Sequence, residues 1–361
     1  MIWNLLLQNM SAAKADAVKV EKRKSEKMNL KMKKRRVRDF LLAGSLILGM
    51  MLTGCGMSGQ QTEQNGGKEQ NKVENEKISV VATIFPQYDF VRQIAGENVE
   101  LKMLLKPGEE THSYEPTPQD IIAIQNSDLF IYVGGENDAW VEDILESMPD
   151  NGRKTLKLVD CVDTVEEEHV EGMKEDHDEN EDESEYDEHV WLSLINAHEV
   201  VRYLSNEVQK LDDVHKKTYE ENTIRYLNDI DDLNHQYEQV VENVTTKTLL
   251  FADRFPFRYL LDDYDLNYYA AFPGCSADVE ASFYTITFLA NKIDQLDLKS
   301  IFVIDQTNLK IAQTVKDNTK KKNQKIMYLD SLQSVDDQKI KDGYSYLKAM
   351  KYNLKVLKKA L

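Results

Sequence analysis

Two histidines sit where an imidazole can do chemistry. His112 lies in Pro107-Gly108-Glu109-Glu110-Thr111-His112-Ser113-Tyr114-Glu115-Pro116-Thr117-Pro118, a loop that follows an apolar run. His189 lies in Asp187-Glu188-His189-Val190-Trp191-Leu192, at the end of an acid-rich segment. Neutral imidazole is a common ligand for divalent cations, and carboxylates add charge and oxygen donors. Either histidine taken alone reads better as a solvated loop side chain. Two of them at element junctions, beside many carboxylates, point to metal binding. Residues 166–189 carry fourteen acidic residues, one lysine and three histidines, His169 and His177 among them. Such a run cannot bury a core and is expected to be a mobile loop. Weak ion capture and plain solvation account for it equally well. No nucleophile motif, Gly-rich phosphate loop or paired-acid signature accompanies these residues, so the chemistry reads as capture, not enzymatic turnover.

The elements around the histidines alternate in kind. Ile78–Ile84 and Val99–Leu105 read as short strands, as does Leu129–Val133, ended by Gly134-Gly135. Pro86–Ala95 and Pro118–Gln125 read as helices, each with proline near its start. His112 therefore falls at the C-terminal end of a strand, the edge where α/β sheets bind ligands. Asn196 to about Asn243 contains no Pro or Gly, and Tyr219, Ile224, Leu227, Ile230, Leu233 and Tyr237 recur at helical steps. This predicts two helices, the second running along both domains. Alternation then resumes: strands at Thr248–Phe251, Tyr268–Ala271, Ser300–Ile304 and Lys325–Leu329, helices around Phe255–Leu261, Val279–Leu296 and Leu309–Asn318, and a last helix from Tyr344. The expected class is α/β: two lobes, each with a mostly parallel sheet flanked by helices, joined by a long interdomain helix. The predicted boundaries are 78–195 for the first lobe, 196–245 for the helical region and 246–361 for the second lobe.

The chain has 361 residues and a formal net charge of −18. That charge is uneven. Residues 1–54 hold 12 Lys/Arg against 4 Asp/Glu, leaving 33 basic and 59 acidic residues for 55–361. A body with a net charge of −26 repels phosphate, which argues against nucleic acid as a partner and suits a cation ligand or plain solubility. The three cysteines, Cys55, Cys161 and Cys275, form no CxxC, which argues against a thiolate zinc finger. Lys33-Lys34-Arg35-Arg36-Val37-Arg38, the apolar stretch Phe40–Leu52 and then Thr53-Gly54-Cys55 read as a secretory signal, and thirteen apolar residues are short for a membrane span. Met28 or Met32 would be a more ordinary start than Met1. Residues 55–77 are rich in Gly, Gln, Asn, Lys and Glu and read as a flexible tether.

Leu52-Thr53-Gly54-Cys55 resembles the lipobox of bacterial lipoproteins, which implies lipidation of Cys55 and an extracytoplasmic, membrane-anchored product. The body resembles the metal-receptor lipoproteins of ABC importers, a family of zinc and manganese receptors that includes proteins first called adhesins. Ala82-Thr83-Ile84-Phe85-Pro86 matches the family's opening strand, and His112-Ser113-Tyr114-Glu115-Pro116-Thr117-Pro118 its first ligand motif. Glu188-His189-Val190-Trp191-Leu192-Ser193 with Asn196-Ala197 matches the second. The resemblance spans about residues 79–361 and implies a monomeric receptor serving a membrane permease with its own ATPase. It also implies ligands from both lobes and small lobe shifts instead of wide hinge closure.

The third ligand of that family is His or Glu on a strand-to-helix loop. The corresponding segment here is Phe251-Ala252-Asp253-Arg254-Phe255-Pro256-Phe257, with Arg254 at the ligand position. Arginine cannot ligate, having no acceptor. Asp253 is the candidate in its place, or else it pairs with Arg254 or caps the next helix. For the fourth ligand the resemblance favours Asp330 in Tyr328-Leu329-Asp330-Ser331-Leu332, with Asp305 in reserve. Glu280 matches a recurrent family acid that a helix N-terminus explains equally well. The implied set is His112, His189, Asp253 and Asp330. Two carboxylates lean away from zinc, the acidic His-bearing loop leans back toward it, and zinc is favoured with manganese as the alternative. An adhesin-like interaction protein with a degenerate site is the rival reading. Cys161 and Cys275 are either paired or separate buried thiols.

Overall fold

The computed structural model describes residues 77–106, 114–135, 138–173, 186–274, 280–304 and 308–361. The leader, Cys55 and the tether therefore lie outside the described residues, as do His112, His177, Cys275 and Asp305. Two four-stranded sheets, parallel throughout, form the frame. The first runs β2-β1-β3-β4, with β1 Ser79–Ala82, β2 Glu100–Met103, β3 Leu129–Tyr132 and β4 Lys154–Lys157. The second runs β6-β5-β7-β8, with β5 Thr248–Phe255, β6 Asn267–Pro273, β7 Ser300–Val303 and β8 Lys325–Tyr328. In each sheet the order doubles back beside the first strand, so crossover helices cover the faces.

Three helices accompany the first sheet. They are α1 Phe85–Ala95, α2 Pro118–Gln125 and α3 Ala139–Ser147. Gln87 fastens the start of α1 by accepting from the main-chain nitrogens of Thr83 (2.9 Å) and Ile84 (3.3 Å). Thr117 and Asp120 open α2 with a reciprocal capping box. The sequence reading passed over α3 and β4. β4 is Lys-Thr-Leu-Lys, an edge strand with one buried residue and hence no hydrophobic period to detect.

The helical middle divides as expected into α4 Leu194–Leu211 and α5 Lys216–Glu242. Ser193 caps α4 by accepting from Asn196 N at 2.9 Å. The 27 residues of α5 span about 40 Å at a helical rise of about 1.5 Å per residue. Near its start Asn222 donates to Ile94 O of α1 (2.9 Å), and farther along Asn234 accepts from Tyr264 in the second lobe (2.9 Å). The second lobe adds α6 Arg258–Asp263, α7 Phe283–Leu296, α8 Lys310–Asn318, α9 Asp337–Lys341 and α10 Tyr346–Ala360. Helix α10 returns to the first lobe, where Tyr346 N donates to the buried Asp89 at 2.7 Å. One apolar core runs from Val80 and Phe90 through Trp191 and Tyr237 to Phe251 and Met350. The lobes therefore share one continuous core, and a smaller separate apolar cluster lies in each lobe. Among the described residues no helix is long and apolar enough to cross a membrane.

Two expectations need correction. Strand β5 does not stop at Phe251. A register shift against β6 between Phe251 and Arg254 lets it run on to Phe255, so Asp253 and Arg254 lie in the strand and α6 begins only at Arg258. The acidic segment is also anchored in part. Residues 166–173 lie against the second lobe: Glu168 O accepts from Tyr268 (3.2 Å), Glu171 pairs with Lys292 (3.0 Å) and Met173 is buried. Glu166 forms an antiparallel bridge with Tyr186 across its base. Composition predicts a mobile loop over 166–189 and carries no sign of these long-range partners.

Candidate metal centre

His189 enters the second lobe from the first. It precedes a single 3-10 turn, Val190–Leu192, and its side chain is 0% exposed. Three segments enclose the imidazole. Asp187 Oδ1 accepts from the His189 main-chain nitrogen at 2.8 Å and lies 3.0 Å from Nδ1. On the other side Gln333 Nε2 is 3.0 Å from His189 Nε2. Gly274, just beyond β6, closes a third side, and a Cβ there would stand 2.9 Å from His189 Cε1 and 3.0 Å from Phe255 O. Only glycine permits that approach. Gly274 follows β6 and Gln333 follows β8, so the ring sits at the carboxyl edge of the second parallel sheet, where α/β sheets take ligands.

The electrostatics agree with this geometry. A carboxylate only accepts, so Nδ1 carries the proton toward Asp187 and Nε2 keeps the lone pair. This is the arrangement in which an outer carboxylate orients a ligating histidine. Burial opposes charge on the ring, but Asp187, with Glu188 and Glu167 behind it, outweighs that and holds the pKa above the ordinary imidazole value. Burial, then the Asp187 charge, pushes the Glu167 carboxyl up, while its Oε1 accepts from Gly274 N at 3.1 Å. Glu188 is buried on the first-lobe side, against Gly135 (φ +110°), where a Cβ would come within 2.6 Å of its Oε2.

The other candidates are engaged elsewhere. Asp253 Oδ2 accepts from Ile304 N (2.9 Å) and Oδ1 from Arg254 N (2.8 Å). The bulged β5 thus uses a side chain where the ladder to β7 would continue. Asp330 is buried. Its Oδ1 accepts from Leu332 N (3.0 Å) and its Oδ2 from Tyr344 (2.5 Å), while Asn353 bonds both its main-chain nitrogen and its carbonyl. Among the described residues no three His, Cys, Asp or Glu side chains gather as a metal-holding group, so His189, Asp253 and Asp330 are not brought together. His169 is exposed on the loop arm. Glu280 precedes α7 and pairs with Lys310 at 3.5 Å on the surface. Cys161 is a free thiol, pushed up to about 12 mainly by burial. Gln333, Glu167 and Gly274 went unnoticed in the sequence because each meets His189 or its neighbours only across a long stretch of chain, and no local pattern marks them.

Two parallel α/β lobes thus share one helical spine, and the imidazole of His189 lies braced at the carboxyl edge of the second sheet. Residues 80–360 match the family described as zinc-uptake complex component A, periplasmic (ZnuA), and the chain belongs to it. The zinc-binding lipoprotein AdcA of Streptococcus pneumoniae is 28% identical over 282 residues, covering 78% of this chain and 55% of that protein. The chain thus spans about half of that relative's length. The high-affinity zinc uptake system protein ZnuA of Bacillus subtilis is 29% identical over 327 residues, covering 89% of this chain and 96% of that one. The crystal structure of the Zn(II)-bound ZnuA-like domain of Streptococcus pneumoniae AdcA superposes with a TM-score of 0.64 at 26% identity, over 79% of this chain and 98% of that one.

Proposed function

We propose that this protein is an extracytoplasmic receptor that captures a divalent metal ion, zinc before manganese, and delivers it to an ABC permease driven by a separate ATPase. The observation that carries the reading is His189, buried at the carboxyl edge of the second sheet with Nδ1 turned to Asp187. That orientation prepares Nε2 as a ligand. Membership of the zinc-uptake family supports the choice of ion. His112 joins His189 from the first lobe. Asp330 and Asp253 complete the set when the bonds now made to Tyr344, Leu332 N and Ile304 N are exchanged for the ion. The protein works as a monomer without catalysis, held to the membrane through lipid on Cys55, while His169 and His177 raise the local ion concentration.

A calorimetric titration with zinc and then manganese tests this. One tight site, lost in both His189→Ala and His112→Ala, is the expected result. No tight site for either ion, or tight binding that survives both substitutions, overturns the reading.

A further inference from the structure

We infer that the outer face of α10 is a docking surface for an anionic phospholipid bilayer, and that it orients the receptor on the membrane to which lipid on Cys55 would tether it. The inference rests on the lipid anchor proposed above. One side of α10 is turned inward: Tyr346, Met350, Asn353 and Leu357 are buried, and Tyr237 donates to Met350 O at 2.6 Å. The other side carries Lys348, Lys351, Lys355, Lys358 and Lys359, all exposed, with Tyr352 among them. These positions recur at three- and four-residue steps and so share one face. The 15-residue helix has no acidic residue, and among the described residues Lys351, Lys355, Lys358 and Lys359 have no acidic partner.

Two features set this face apart from an ordinary solvated one. Residues 316–361 hold 12 Lys and 5 Asp with no Arg or Glu, leaving 21 basic and 54 acidic residues for 55–315. A positive face on so acidic a body adds nothing to solubility, which the acids already supply. The helix dipole explains lysine in the last turn, at Lys358 and Lys359, but disfavours it in the first, where Lys348 stands. An anionic bilayer accounts for both. Each lysine held near such a surface raises partitioning about fivefold, and an exposed tyrosine ring suits the headgroup layer. Helix α5, against which α10 packs, exposes Asp231, Asp232 and Glu242, which the same surface repels. The field therefore selects one orientation, with α10 toward the lipid and the acids screened beyond about 10 Å at 0.1 M salt. The 22 residues between Cys55 and Ile78, read from composition as a flexible tether, span roughly 25 Å on average, enough to let an anchored receptor lay this face on the bilayer.

The test uses residues 56–361, without leader or lipid. The leader's own 12 basic residues would bind anionic vesicles, and the shared core lies wholly within residues 80–357, so the shortened chain folds. It is sedimented with vesicles of phosphatidylcholine, alone or mixed with phosphatidylglycerol, in the presence of a chelator that stops divalent ions bridging the acidic segment to lipid. Binding to the mixed vesicles at low salt is expected, absent with phosphatidylcholine alone and lost at about 1 M salt, where the screening length falls to about 3 Å. Changing Lys351, Lys355, Lys358 and Lys359 together to Gln should weaken it by about 100-fold or more. Changing Lys210, Lys216 and Lys217 to Gln, at the α4–α5 junction, should leave it nearly intact. No binding at low salt, or equal loss in both variants, overturns the inference. Salt-sensitive self-association without vesicles, abolished by the α10 changes, would assign the face to a second copy and also overturns it. None of these outcomes involves Cys55, whose role as anchor is tested separately by release of Cys55→Ser from cell membranes.

Discussion

One oxygen of Asp187 holds His189 from two directions, accepting from its main-chain nitrogen and facing its ring Nδ1. The first bond fixes the backbone where the 3-10 turn begins. The second fixes ring orientation and tautomer. Asp187→Ala removes both, and loss of such an outer-shell partner typically lowers metal affinity by about 10- to 100-fold. Asp187→Asn, whose amide oxygen can still accept, should fall between the alanine variant and the native protein. Zinc titration of the three proteins checks the order, and equal affinities would show that Asp187 does not orient the ligand.

The carboxyl of Asp138 gives the fold a pH dependence away from His189. It is buried, its Oδ2 accepts from Val133 N (2.6 Å) and Gly134 N (3.1 Å), and burial raises its pKa from 3.8 to about 6. Because the folded value lies above the unfolded one, the contribution to stability is full below the unfolded pKa and is lost as pH rises through about 6. A rise of about two pH units corresponds to about 3 kcal/mol. Asp138→Asn keeps an acceptor for both N–H groups and carries no charge. It should gain up to about that amount over the native protein at pH 8, and the gain should vanish near pH 3. Denaturant unfolding across this range measures the difference, and a gain independent of pH would exclude the mechanism.

Asn353, fully buried on α10, closes a two-bond ring with the main chain of Asp330, at 2.8 Å in each direction. Asn353→Leu leaves one buried N–H and one buried C=O without that partner. At about 1–3 kcal/mol for each orphaned group, the variant should lose roughly 2–6 kcal/mol of unfolding free energy. Urea unfolding reads this directly, and a loss under 1 kcal/mol would mean that the turn finds other partners.

The frame was legible because short apolar runs alternated with helical periods. β1, β3 and β7 are continuous apolar segments bounded by turn residues, and α5 declared itself through Tyr219, Ile230, Leu233 and Tyr237, all of which are buried. Strand β4 escaped because an edge strand needs no apolar alternation. The true end of β5 escaped because its last residues pair across a register shift that no spacing rule encodes. The site was half legible. His189 stood out by residue type beside carboxylates and by motif. Its surroundings did not, since Gln333 is 144 positions away and Gly274 looks like an ordinary loop glycine until the imidazole is set against it.

The bridge between Glu166 and Tyr186 bears on how far the acidic insertion can change in length. It pins both ends of the acidic insertion just before Asp187 and His189. The chain entropy of a closed loop grows only with the logarithm of its length, by about 0.6 kcal/mol per doubling. Residues can therefore be gained or lost between the pinned ends with little strain on the imidazole behind them. Histidine number and acid content in the insertion can therefore vary without disturbing the turn that carries His189.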